Sequence, residues 1–205
     1  MIVFLMILPF YLNDFFLHIF VQDYYKFISV FYLTGIFAIA MAWSAVRRSV
    51  LSSADLGLLP IEAKAFFLYS MGLIFVCILS HRALGPWIYH HLFDVKWRYY
   101  NFPDYPNQFL RWFDLTLGLA LTAVSEEVVF RGALLTVLCR RFSRFNAGLI
   151  SMIIFATMHW GAGPQTVLNA FIWAILPTFV ALRYRCIYPL ILAHFATDFV
   201  SFALF

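Results

Sequence analysis

The sequence predicts an all-α, polytopic transmembrane helix bundle of about seven spans, six to eight in range. Three observations carry that prediction. Of the 205 residues, 64% are hydrophobic and 20% aromatic, and mean hydropathy is +0.86. Only 12% are charged, about half the ~25% of a soluble domain. Apolar runs close to the ~20 residues that cross a bilayer recur along the chain. This composition excludes a soluble globular domain and a disordered chain. The formal net charge of +4 comes without a basic tract, so no nucleic-acid partner is expected and membrane lipids are.

The first span covers residues 1–20. It has no basic leader and no small-residue cleavage site, so it reads as a retained span rather than a removed signal peptide. Asn13, Asp14 and His18 interrupt it and permit an interfacial placement. The second and third spans cover residues 27–46 and 65–80. Residues 82–108 hold Pro86, Pro103 and Pro106 among many aromatics and read as a connection on the membrane surface. Trp87, Trp97, Trp112, Tyr99, Tyr100 and Tyr105 form its interfacial belt, joined by His81, His90 and His91.

The fourth span, residues 109–138, would be ~45 Å long as a straight helix. It must tilt strongly, extend beyond the bilayer or break, and Arg111 and Asp114 mark its polar mouth. The fifth, sixth and seventh spans cover residues 147–159, 166–182 and 187–205, with a turn at residues 161–164 between the fifth and sixth. No linker, repeat or low-complexity segment divides the chain, so residues 1–205 read as a single membrane-embedded domain. Cys77, Cys139 and Cys186 lie in or beside apolar runs and make neither a disulfide framework nor a zinc motif.

Cationic residues set orientation. With seven alternating spans, eight fall on one side: Arg47, Arg48 and Lys64; Arg140, Arg141 and Arg144; Arg183 and Arg185. The other side collects five, Lys26, Arg82, Lys96, Arg98 and Arg111. The bias favours a cytoplasmic N-terminus.

A charged side chain in the hydrocarbon costs at least ~2.5–3.5 kcal/mol, so intramembrane ionisable groups are functional candidates. Three clusters stand out. In the first, Glu127 and Arg131 are four apart and share a helical face. Glu126 points about 100° away without that arginine, and desolvation of an unpaired carboxylate suits a general base. The bland alternative is a structural charge cluster, but two carboxylates against one arginine leave a net charge. The second cluster pairs Phe155 with His159, and the third pairs His194 with Asp198, each four apart. Taken singly, His159 reads as a satisfied structural or interfacial residue, whereas the His194–Asp198 pair can hold a water, bind a metal or make a structural hydrogen bond. Taken together, three polar faces on three spans converge most economically on one site of Glu126, His159, His194 and Asp198. Such a site can activate water and stabilise an oxyanion.

The motifs EEVVFR (residues 126–131), FATMH (155–159) and HFATD (194–198), with YRCIYPLILAH leading into the last, resemble the CPBP family of intramembrane proteases, which includes the CAAX prenyl endopeptidases. The resemblance covers residues 123–201. It implies hydrolysis of a peptide bond within or beside the bilayer, by a glutamic-type mechanism with no cofactor; the orientation read from the cationic residues suits a membrane-anchored or exported peptide or protein tail as substrate. It implies Glu126 as the base and His159 as a water-positioning group. His194 and Asp198 would stabilise the oxyanion, with Glu127, Arg131 and Phe155 in support. The last position is often Asn in the prenyl proteases; here it is Asp198, which donates a hydrogen bond only when protonated. Asp198 is then neutral, or orients His194, or accepts from water.

Other readings use the same residues. One is a divalent metal on the Glu, His and Asp set. Another is a non-catalytic member that binds or chaperones a peptide. A third is a transporter or haem bundle, which leaves the paired glutamates unexplained. The expected location is a prokaryotic plasma membrane, with the site opening toward the non-cytoplasmic face.

Overall fold

The computed structural model describes residues 2–20, 22–92 and 104–203. Among these the chain forms seven helices and no strand. They are α1 (Ile2–Phe20), α2 (Tyr24–Arg47), α3 (Ala63–His91), α4 (residues 108–139), α5 (Arg144–Thr157), α6 (Pro164–Tyr184) and α7 (Tyr188–Ala203). Local chemistry sets several of the starts. Asp23, Asn107 and Ser143 accept the backbone N–H groups of Lys26, Leu110 and Asn146, and Pro164 opens α6 where no amide is needed.

Three helices are long and apolar enough to cross a membrane: α2, α3 as far as Ile88, and α6. Their outer faces are greasy. Phe67, Leu68 and Phe75 of α3 and Phe179 of α6 are all more than 60% exposed. Lipid tails can cover such surface, whereas water would make it a liability. The chain is a polytopic helical membrane bundle.

α4 runs through the middle. It meets α1, α2, α5, α6 and α7, while α1 packs on α2, α3 on α6 and α7, and α5 on α6. It is not a plain α-helix. Wider π-helical turns at Asp114–Gly118 and Glu127–Leu134 interrupt the α-helical stretches Gln108–Phe113, Leu119–Glu126 and Leu135–Cys139. The second π stretch is buried over its whole length. The long fourth span is thus continuous but modified at two places.

Two expectations need correction. The surface connection of residues 82–108 begins later, because α3 continues through Pro86 to His91. A membrane helix tolerates an internal proline where neighbours take up the freed backbone groups. Trp87 stacks on His91 at 5.0 Å between ring centroids. Of the aromatic belt, Trp97, Tyr99 and Tyr100 lie outside the described residues, as do Lys96, Arg98 and Pro103. Asp114 is not a polar mouth either. The first π stretch turns it inward toward α2, where the Tyr24 and Tyr32 hydroxyls both donate to its carboxylate. Arg111 instead donates to the Ala203 carbonyl at the end of α7, at 3.3 Å.

The loop of residues 48–62 plugs one end of the bundle. Leu51 and Leu56 are buried, the Ile187 amide donates to the Gly57 carbonyl at 3.0 Å, and Thr136 donates to the Asp55 carbonyl at 2.9 Å. Gly57 turns at φ +72°, a conformation other residues rarely adopt. Asp55 takes hydrogen bonds from the Ser52 amide and hydroxyl and an ion pair from Arg140 at 2.8 Å. Partial burial opposes the charged form, but these partners outweigh it and hold the Asp55 carboxyl below its ordinary value.

Gly132 lies directly beneath this loop. A Cβ there would sit 2.5 Å from the Leu56 carbonyl oxygen. Gly132→Ala should therefore force the loop off α4 and cost ~1–3 kcal/mol, read as a lower unfolding midpoint in detergent. An unchanged midpoint would show that the loop is not seated on α4.

Candidate active site

Glu126 is the last residue of an α-helical stretch of α4 and Glu127 the first of the π stretch. π turns of this kind are frequent at functional sites. Here the junction lets two neighbouring carboxylates serve one histidine from different sides. Glu127 Oε1 accepts from His194 Nδ1 at 2.8 Å and from Arg131 Nη1 at 3.2 Å, with its side chain fully buried. Glu126 Oε2 stands 3.7 Å from His194 Nε2, beyond a hydrogen bond. Asp198 Oδ2 approaches that same nitrogen at 3.4 Å from one turn along α7.

Arg131 is held by more than charge. Its guanidinium lies 3.8 Å from the centre of the Phe155 ring and 5.3 Å from that of Trp173. A planar cation on an aromatic face gains cation–π attraction as well as packing. Phe155 also packs edge-on against Phe130, which meets Phe10 of α1. Arg131 and Glu127 of the first motif and Phe155 of the second are therefore one buried assembly, with Phe155 also reaching the cavity wall.

In front of it lies a cavity of about 470 Å³. Glu126, His159, His194 and Asp198 all line it, whereas Glu127 and Arg131 do not. The structure thus brings together the four candidate groups and separates them from their supporting pair. His159 sits in the turn after α5, just beyond the helix expected to contain it. Its Nδ1 lies 3.1 Å from the Phe155 carbonyl. A carbonyl only accepts, so Nδ1 carries the proton and, in the neutral ring, Nε2 is an acceptor.

Sequence reasoning missed several residues of the cavity wall. Trp173 of α6 packs against His194 with the rings tilted by 52° and centroids 4.7 Å apart, and its indole N–H has no hydrogen bond among the described residues. Asn13 and Asp14 of α1 line the cavity as well. They do more than weaken a span: Asp14 accepts the Gly161 amide at 2.8 Å, and Asn13 accepts the Thr34 hydroxyl at 3.2 Å. The Asp14 bond fixes the turn that carries His159. Asn169, Thr122 and Thr166 add further polar atoms. An asparagine or tryptophan inside an apolar run has no partner at motif spacing, so the sequence carries no signal for these.

Among the described residues, no group of three or more His, Cys, Asp or Glu is arranged to hold a metal ion. Glu126 Oε2, Glu127 Oε2 and Arg131 Nη2 are buried without a hydrogen bond among those residues. The spare oxygen of Glu126 is the one presented to the cavity-side face of His194.

Removing one partner of a buried ion pair is far more damaging than removing both. Arg131→Met should cost ~3–5 kcal/mol by stranding Glu127. Adding Glu127→Gln should recover part of that loss. Thermal unfolding in detergent distinguishes the two, and equal midpoints for the single and double variants would refute the coupling.

No curated protein and no solved structure matches the chain. Residues 108–200, which run from the start of α4 nearly to the end of α7 and carry all three motifs, match the family described as Type II CAAX prenyl endopeptidase Rce1-like, and the match supports a membrane protease.

Proposed function

We propose that the protein is a glutamic-type intramembrane endopeptidase that cleaves a membrane-anchored or exported peptide tail. The observation that carries this reading is the shared cavity of Glu126, His159, His194 and Asp198, with Glu127 and Arg131 packed behind it. In this mechanism His159 Nε2 holds one proton of a water molecule and Glu126 takes the other. The water oxygen attacks the scissile carbonyl carbon. His194, kept by Glu127 in a fixed orientation, donates from Nε2 to the developing oxyanion. Asp198 steadies that edge of the ring as a carboxylate, so the departure from asparagine leaves His194 as the donor. Collapse of the intermediate breaks the C–N bond, and the proton on Glu126 passes to the leaving amine. A general base and oxyanion donors each contribute on the order of 10²-fold or more.

The rest of the wall supports an extended peptide with apolar side chains. Phe10, Leu17, Phe31, Met158 and Phe202 offer apolar surface, and the asparagines and threonines offer partners for backbone groups. Lipids and such a tail are the proposed partners; no metal or other cofactor takes part.

The decisive experiment compares the termini of membrane proteins in cells making the wild type or Glu126→Gln. The variant should insert and keep its unfolding midpoint, while the cleaved termini disappear. Cleavage by the purified wild type should persist in excess chelator. Turnover by the glutamine variant removes Glu126 from the base role, and a chelator-sensitive activity restored by one ion replaces the mechanism with a metal-dependent one.

Orientation follows the same proposal. The cavity belongs to the end of the bundle where α5 and α7 finish and α6 begins, opposite the loop of residues 48–62 and the arginine-rich turns. With the cationic end cytoplasmic, in a prokaryotic plasma membrane, the cavity opens outward. In a Cys139→Ser background, Gln22→Cys should react with an impermeant maleimide from outside and Ser53→Cys only from inside. The reverse pattern inverts the topology.

A further inference from the structure

A second cavity, of about 330 Å³, lies at the cationic end of the bundle between α4, α5, α6 and the loop of residues 48–62. Four arginines line it: Arg131, Arg140, Arg144 and Arg185. Its lining holds one carboxylate, Asp55, which pairs with Arg140. Arg144 spends one N–H on the Leu182 carbonyl at 2.7 Å. Arg131 is committed to Glu127 and the Phe155 ring; a guanidinium has five N–H donors, so these contacts leave most of the donors of Arg140, Arg144 and Arg185 available. Leu135, Ala181 and Ile187 supply an apolar side to the same cleft.

The positive-inside tendency accounts for arginines at this end but not for their convergence. Arg47, Arg48, Lys64, Arg141 and Arg183 lie at the same end and do not line the cleft. Arg185 also occupies the position after α6 at φ +54°, a left-handed conformation in which glycine is the usual residue. The chain keeps an arginine where the backbone favours glycine, and that arginine lines the cleft. The cleft reaches the start of α5 at Arg144, and a helix N-terminus favours anions. Planar guanidinium groups match a phosphate with paired hydrogen bonds, and basic pockets between membrane helices suit lipid headgroups.

We infer that this cleft is a binding site for a phosphate group, presented by an anionic membrane lipid whose chain lies along the apolar side. It is separate from the proteolytic cavity, though Arg131 borders it from one side and holds Glu127 from the other.

Cys139 is an exposed thiol in this cleft, while Cys77 and Cys186 are buried, so maleimide labelling of Cys139 reports occupancy. The full chain is placed in nanodiscs of phosphatidylcholine, with or without phosphatidylglycerol, and in detergent with or without inorganic phosphate. Phosphatidylglycerol should slow labelling of the wild type, and Arg144→Gln or Arg185→Gln should each return about fivefold of the rate. Protection by phosphatidylglycerol discs alone identifies the lipid; protection by inorganic phosphate in detergent identifies a free anion at the same site. The wild-type comparison needs no variant to fold. Identical labelling under all conditions overturns the proposal. The readout does not involve cleavage, so it stands or falls apart from the protease reading.

Discussion

Glu127 is the hinge of the arrangement. One of its oxygens takes a hydrogen bond from His194 of α7 and another from Arg131 of its own helix, in a place with no access to solvent. An isolated carboxylate would be ruinous there. Two donors and an aromatic seat for the arginine make it tolerable, and the same contacts tie α4 to α5, α6 and α7. The histidine that faces the cavity therefore has one ring nitrogen fixed by the core of the bundle. Chemistry in front rests on packing behind.

The membrane alters the usual logic of burial in this protein. Many of its large hydrophobic residues face outward in numbers that water would not permit, while the interior mixes large apolar side chains such as Phe27, Phe130 and Leu190 with alanines and the few charged groups. Ala38, Ala42 and Ala45 of α2 are fully or almost fully buried, as are Ala123 and Ala133 of α4. Small residues let helices approach closely, and close approach is the main source of cohesion when lipid competes for every apolar surface.

Much of this was legible in the residues themselves. Helix number and order followed from apolar run length, because the bilayer demands it. The pairing of Glu127 with Arg131 followed from four-residue spacing, and the divergence of Glu126 from its neighbour followed from helical geometry. What spacing could not supply was anything between helices. Trp173, Asn169 and Asp14 reach the cavity because α6 and α1 happen to pack there. Asp114 looked like a mouth residue because the sequence does not announce that two tyrosines of α2 wait for it. The continuation of α3 to His91 was hidden by Pro86, a breaker in water and a tolerated kink in lipid.

The wide turns of α4 carry a last consequence. A π turn amounts to one additional residue fitted into an otherwise ordinary spiral. Deleting a single residue from Glu127–Leu134 would relax the backbone toward a regular α-helix. The wide turn already absorbs that residue, so the α-helical segments on either side would keep their phase. What would be lost is the local placement of the side chains inside the stretch, which holds Glu127 and Arg131. In this helix an irregularity of winding is confined to the stretch that carries the buried ion pair.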